Sequence, residues 1–164
     1  MKHIQKNIKI GAFAIIMLVS NQAIAQINKV EIRATGLTCA MCSNAIYKQL
    51  ETITFVDSIH TDLNTNTFTL FLNNQNKLSP KDFKDKVEKA GFFVGSMILH
   101  YASTFSVNAN YIIIAQKTNA INNTYKVLDK GYVTAKEYKK LAKKYKKIIT
   151  YTANKETDFH LSEL

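Results

Sequence analysis

From Lys29 to Leu99 the apolar residues switch repeatedly between a spacing of two and spacings of three and four, and this rhythm narrows the folds open to the chain. Val30, Ile32 and Ala34 alternate with Lys29, Glu31 and Arg33, the pattern of a strand with one buried face. Gly36 breaks that run. Ile46 and Leu50, four residues apart, then mark the buried face of a helix from about Ala40 to Glu51. Ile59, Thr61 and Leu63 give one further strand face, and Phe68, Leu70 and Leu72 another. The polar Asn64-Thr65-Asn66 between them suits a hairpin turn. Ser79, then Pro80, then Asp82 form a helix start with proline at the first helical position. Phe83, Val87 and Ala90 line that helix, Gly91 closes it, and Phe92 to Leu99 reads as a last strand. The order βαββαβ predicts an α+β fold, a ferredoxin-like sandwich with two helices on one face of a four-stranded antiparallel sheet.

Residues 1–25 precede this unit and have the composition of a secretory signal. Lys2, Lys6 and Lys9 supply a positive segment, Ile10 to Val19 an uncharged apolar run, and Ala23-Ile24-Ala25 a cleavage pattern of small residues. The apolar run is too short to span a bilayer, which takes about 20 residues. The expected mature chain begins at Gln26, is exported, most simply to a bacterial periplasm, and does not span the membrane.

Of the 164 residues 46% are hydrophobic, which excludes a disordered protein. Cleavage would leave 19 basic residues against 12 acidic, a net charge of +7. Residues 26–99 carry 8 basic and 7 acidic side chains, and residues 100–164 carry 11 and 5. A near-neutral unit followed by a basic one predicts two regions, 26–99 and a smaller α+β region over 100–164. Export argues against nucleic acid as the target of the basic region. Within it, Thr104 to Val107 and Tyr111 to Ala115 read as strands. Thr134 with Glu137 forms a capping box opening a helix to about Lys147, and Ile148 to Thr152 and Asp158 to Leu161 read as closing strands. The lysines at positions 136, 139, 140, 143, 144, 146 and 147 lie mostly off that helix's apolar face of Tyr138, Leu141, Ala142, Tyr145 and Ile148. They are read first as a solvated surface and second as a docking surface.

The chemistry concentrates in Cys39-Ala40-Met41-Cys42, between the first strand and the first helix. Two intervening residues let both sulfurs reach one small object. The helix N-terminus favours thiolate over thiol. A pair of thiolates with no neighbouring histidine or carboxylate makes a soft, low-coordination site, suited to Cu(I) more than to Zn(II) or harder cations. Two cysteines are too few for a disulfide-stapled scaffold or a four-ligand structural zinc site.

Gly36-Leu37-Thr38-Cys39-Ala40-Met41-Cys42 resembles the Gly-Met-Thr-Cys-x-x-Cys signature of heavy-metal-associated domains, the copper-chaperone and mercury-scavenger modules. Ile46 and Leu50, Asp62-Leu63 and Ala90-Gly91-Phe92 fit the same pattern, over about Asn28 to Ser96. The resemblance implies that Cys39 and Cys42 are the metal ligands, with Cu(I) as cargo and Hg(II) or Zn(II) as the other ions the pair would take. It places Phe92 in the loop beside them. A metal-donating or metal-accepting protein, such as a copper transporter or efflux component, is the implied partner. Leu37 stands where the family usually has Met, a volume-conserving exchange at a position that anchors the loop in the core. Residues 100–164 have no counterpart in the minimal family member.

Other readings of these residues exist. In an oxidising compartment the pair could serve as a disulfide or a thiol–disulfide redox centre. A bridge over so short a loop adds little stability, and the only proline, Pro80, opens a helix instead of flanking the thiols. Met41 is expected to face solvent, not to ligate. His60, His100 and His160 show no ligand spacing. With no Ser-His-Asp set, paired carboxylates or phosphate-binding glycine loop, a binding protein is expected, not an enzyme.

Overall fold

A computed structural model describes residues 26–102, 110–116 and 123–164. The signal segment and the strand expected at Thr104 to Val107 lie outside these residues.

The first six elements follow the expected order: β1 (Ile27–Thr35), α1 (Ala40–Leu50), β2 (Val56–Asp62), β3 (Thr67–Leu72), α2 (Pro80–Lys89) and β4 (Phe93–Tyr101). β1 lies between β3 and β4, antiparallel to both, and β2 pairs with the outer edge of β3. Alternation along β1 aims Val30, Ile32 and Ala34 at the helices. Across the sheet they meet Met97, Leu99, Phe68 and Leu70, and from the helices Ile46, Leu50, Phe83 and Val87, all buried. Each such aliphatic or aromatic side chain contributes roughly 1.5–3 kcal/mol by leaving water. At the start of α2 the Asp82 carboxylate accepts hydrogen bonds from the Ser79 backbone N–H and hydroxyl, with Pro80 in the first turn.

Leu63 departs from its expected place on a strand face. It lies beyond β2 and is exposed, because the Asp62 side chain accepts from the backbone N–H groups of Asn64 and Thr65 and turns the chain first.

The sheet continues where the charge balance changes. After β4 come β5 (Tyr111–Ala115), β6 (Thr124–Val127), α3 (Ala135–Lys144), α4 (Ile149–Ala153) and β7 (Phe159–Glu163). β6 pairs antiparallel with β4, β7 with β6, and β5 lies parallel to β7 at the edge. The result is one seven-stranded sheet in the order β2-β3-β1-β4-β6-β7-β5. The strands expected at Tyr111 to Ala115 and near Asp158 to Leu161 are present. The strand expected over Ile148 to Thr152 is instead the short helix α4. Its β-branched residues favour a strand locally, but Tyr151 decides the outcome. The ring is buried and its hydroxyl donates to the Leu128 carbonyl, while the Thr152 hydroxyl bonds back to the Ile149 carbonyl as a helical residue does. Of the expected capping box only the Thr134 half forms, its Oγ1 accepting from Glu137 N, because the Glu137 carboxylate is taken by Lys126 of β6, and α3 ends at Lys144, short of Lys147.

α3 starts on the face of the sheet opposite α1 and α2. Glu137 reaches Lys126 of β6, and Thr134 packs beside Gly95 and Thr35. Gly95 makes room for the Thr35 side chain, since a Cβ there would collide with the Thr35 methyl group, whereas Thr134 would stay at an ordinary contact distance. Among the described residues no helix is long and apolar enough to cross a membrane.

Candidate functional site

β1 ends at Thr35, and Gly36 turns the chain with φ +92°, a left-handed conformation that residues with a side chain rarely adopt. Leu37 then packs against the hydrophobic core, as does Phe92 from the other side of the loop, so the segment is pinned at its base. A Cβ at Gly36 would touch Phe92 Cδ1 at 3.8 Å, which places the two loops side by side. From this anchored base the next residues rise into solvent. Cys39 is exposed, Cys42 half-buried, and Met41 is 82% exposed and points away from the core, as expected.

Cys39 occupies the cap position of α1 in extended backbone, and its carbonyl accepts from Cys42 N at 3.1 Å. Its side chain makes no capping bond, so its sulfur is available for other contacts. The two Sγ atoms approach to 3.0 Å, and Thr38 Oγ1 lies 4.0 Å from Cys42 Sγ. Both thiols are free. The Cys42 thiol is lowered to about 7, first by its hydrogen bond with Cys39 and then by backbone hydrogen bonding at Thr38. The first turn of α1 contains no acidic residue, so no neighbouring carboxylate on it opposes thiolate charge there. Chemically this is a pair of converging sulfurs, one already partly thiolate at neutral pH, on an exposed helix end. Among the described residues no group of three or more His, Cys, Asp or Glu side chains gathers into a metal-holding cluster. The pair therefore has the form of a two-sulfur site open on its solvent side.

The histidines lie elsewhere. His60 is exposed on β2. His100 sits on β4, its Nε2 3.0 Å from Glu31 Oε1 and its Nδ1 3.1 Å from Thr124 Oγ1, and burial followed by the nearby Lys29 charge lowers its pKa. His160 is fully buried on β7. Its Nδ1 lies 2.7 Å from Asp129 Oδ1, its backbone N–H donates to Asp129 Oδ2, and its Nε2 lies 3.0 Å from Thr150 Oγ1. Sequence reading missed this polar cluster. Its members lie on β7, on α4 and in the loop after β6, with no spacing signal to link them.

Comparison with known proteins adds to the geometry. Residues 31–93 match the heavy-metal-associated domain family. No curated protein matches the chain. Among solved structures, the yeast copper transporter domain Ccc2a, studied in apo and Cu(I)-loaded states, is 28% identical over 40% of this chain and 88% of that one, with a TM-score of 0.36. The N-terminal domain of a potential copper-translocating P-type ATPase from Bacillus subtilis, in the Cu(I)-loaded state, is 33% identical over 41% of this chain and 82% of its own, with a TM-score of 0.36. The CopZ metallochaperone is 23% identical over 40% of this chain and 97% of its own, with a TM-score of 0.37. With the Cys-x-x-Cys loop set between β1 and α1 in a βαββαβ frame, residues 31–93 of this chain are a heavy-metal-associated domain.

Proposed function

We propose that the protein is an exported carrier or scavenger of a soft metal ion, Cu(I) foremost and Hg(II) or Zn(II) as alternatives, held by Cys39 and Cys42. The observation that carries this reading is the approach of the two free sulfurs to 3.0 Å on an exposed helix end, with no third ligand gathered beside them among the described residues. Cu(I) accepts two thiolates in a nearly linear arrangement, and its single charge leaves the complex at −1, which the helix N-terminus stabilises. An open solvent side suits exchange. An incoming thiolate from a partner adds to the ion, one of the two resident sulfurs leaves, and a second exchange completes transfer with no change of oxidation state. A copper transporter or efflux component is the partner class this chemistry fits. The apolar run and the Ala23-Ile24-Ala25 pattern support export, most simply to a periplasm, with Gln26 as the first mature residue.

A Cu(I) competition titration of the reduced mature protein tests the site. One ion per chain is expected, and Cys39→Ser or Cys42→Ser should each abolish tight binding. Wild-type affinity in either variant would overturn the two-sulfur site. The same close pair supports a second reading, a thiol–disulfide redox protein. Sustained turnover in a disulfide-reduction assay, without stoichiometric metal uptake, would favour it. Mass spectrometry of exported protein should find Gln26 at the N-terminus, and an intact Met1 there would refute cleavage.

A further inference from the structure

The surface feature that the cysteine site does not explain is the outer face of α3. Lys136, Lys139, Lys140, Lys143 and Lys144 recur at spacings of three and one, which sets them on one side of the helix, and all are exposed. Lys146 and Lys147 extend the charge toward Ile149, which is 83% exposed. The opposite side of the helix is already engaged, with the rings of Tyr138 and Tyr145 lying 6.0 and 5.6 Å from that of Tyr151. The lysine face therefore points outward because the protein occupies the other one.

A face needed only for solubility would mix acids with bases, because like charges four apart oppose the helix. Here the one acid in α3, Glu137, is taken by Lys126 of β6, and among the described residues none of these lysines is ion-paired with a carboxylate. The kind of cation also discriminates between partners. Protein interfaces favour arginine and disfavour lysine, and the only arginine in the chain is Arg33 on β1. Lysines are compact point charges on flexible stems, suited to a diffuse layer of phosphates more than to a fixed carboxylate fork. An exposed isoleucine at the end of a lysine stripe adds the apolar contact that peripheral membrane attachment uses.

We propose that the Lys136–Lys147 stripe, with Ile149 at its end, docks the protein on an anionic phospholipid surface. Thr134, which caps the helix, lies beside Gly95 and Thr35, and Thr35 is the last residue before Gly36 opens the cysteine loop. Docking through α3 would thus keep the metal loop close to the bilayer, where a membrane-embedded partner presents its own thiolates. That purpose rests on the proposed carrier function, whereas the lipid contact itself needs no metal.

The test is co-sedimentation of the metal-free mature protein with vesicles of phosphatidylglycerol mixed into phosphatidylcholine, and with phosphatidylcholine alone. Binding to the anionic vesicles is expected, with little to the neutral ones and a steep loss as salt shortens the screening length. Replacing Lys139, Lys140, Lys143 and Lys144 with Gln should weaken it by about tenfold or more. Ile149→Ser should weaken it several-fold while leaving the salt dependence unchanged. Circular dichroism should show all variants folded, since every replaced side chain is exposed. Equal binding to both vesicle types, or to neither, would overturn the proposal. So would binding of soluble polyglutamate as tight as that of anionic vesicles together with no effect of Ile149→Ser, a result pointing to an acidic protein instead. A protein that takes up Cu(I) but ignores vesicles refutes the docking alone, and one that binds vesicles but no Cu(I) refutes the carrier function alone.

Discussion

The two ends of the sheet are built on different principles. From β1 to β4 the core is mainly aliphatic, and the chemically active groups are kept out of it, on a loop anchored by Leu37 and Phe92. From β5 to β7 the interior is rich in tyrosine and buries an ionisable pair, Asp129 and His160, where the first end buries only the neutral Ser43 and Asn76 among its described polar residues. Phe159 meets the Tyr111 ring at a tilt and the Tyr132 ring edge-on, Tyr151 meets the His160 ring edge-on at 5.0 Å, and Asp129 is buried beside it. The titratable groups diverge accordingly. The Cys42 thiol is lowered by sulfur and backbone hydrogen bonds, whereas burial raises Tyr125, Tyr132 and Tyr151 and pushes Tyr111 up to about 12. An apolar frame with an external site tolerates change at the site. An interior that incorporates its polar groups makes them part of stability.

The sharpest way to break this contrast is to truncate one core residue at each end. Phe83→Ala removes a fully buried ring from α2 and should cost about 3–5 kcal/mol. Asp129→Ala removes the carboxylate oxygens that pair with the His160 backbone N–H and Nδ1, and should cost about 3 kcal/mol although it deletes little apolar surface. Both should shift one common urea transition, because β4 and β6 share hydrogen bonds and the Tyr101 and Tyr125 rings pack edge-to-face across that seam at 5.8 Å. If Asp129→Ala split the transition in two, the two ends would be independent folding units that merely share a sheet edge.

The same contrast explains what was legible in the sequence. The first end announces itself because each element contributes a short aliphatic period, as with Val30, Ile32 and Ala34 or Phe83 and Val87. Its strands pair in a known order, and its site is a contiguous heptapeptide. The second end has few such periods. β6 offers only Tyr125 and Val127 as buried positions, and β5 finds its partner β7 more than forty residues away in parallel register. Ile148 to Thr152 followed local propensity in the sequence reading and tertiary contacts in the molecule, because Tyr151 had to reach the Leu128 carbonyl. The Asp129–His160 contact joins residues 31 apart, and nothing in their neighbourhoods marks either of them as paired.

A smaller effect sharpens the contrast at the external site. Alkylation of Cys42 should rise with pH through a midpoint near 7, because the thiolate is the reactive species and the folded protein favours it. In Cys39→Ser the midpoint should move up toward the ordinary thiol value, since the Cys39 sulfur is the largest cause of the lowering. Urea-unfolded protein should react with the higher midpoint whether or not Cys39 is present. A midpoint unchanged by Cys39→Ser would assign the lowering to the loop backbone and helix end alone.

The smallest expected effects distinguish the two ends most finely, because they compare exposed side chains of similar size. Met41 is 82% exposed within the cysteine motif and meets no core residue, so Met41→Ser should change stability by less than about 0.5 kcal/mol. If its thioether is not a ligand, Cu(I) affinity should also stay at the wild-type level. Thr150 is likewise exposed, but its hydroxyl reaches the fully buried His160 Nε2. Thr150→Val keeps the volume and removes that partner. Water can replace part of the contact from the exposed side, so the cost should be about 0.5–1.5 kcal/mol, below the full penalty of an orphaned buried group. Thermal melts of the two variants decide the matter. Equal losses would mean that the polar cluster around His160 adds no stability beyond its packing, whereas a measurable loss for Thr150→Val alone ties even the rim of that cluster to the fold.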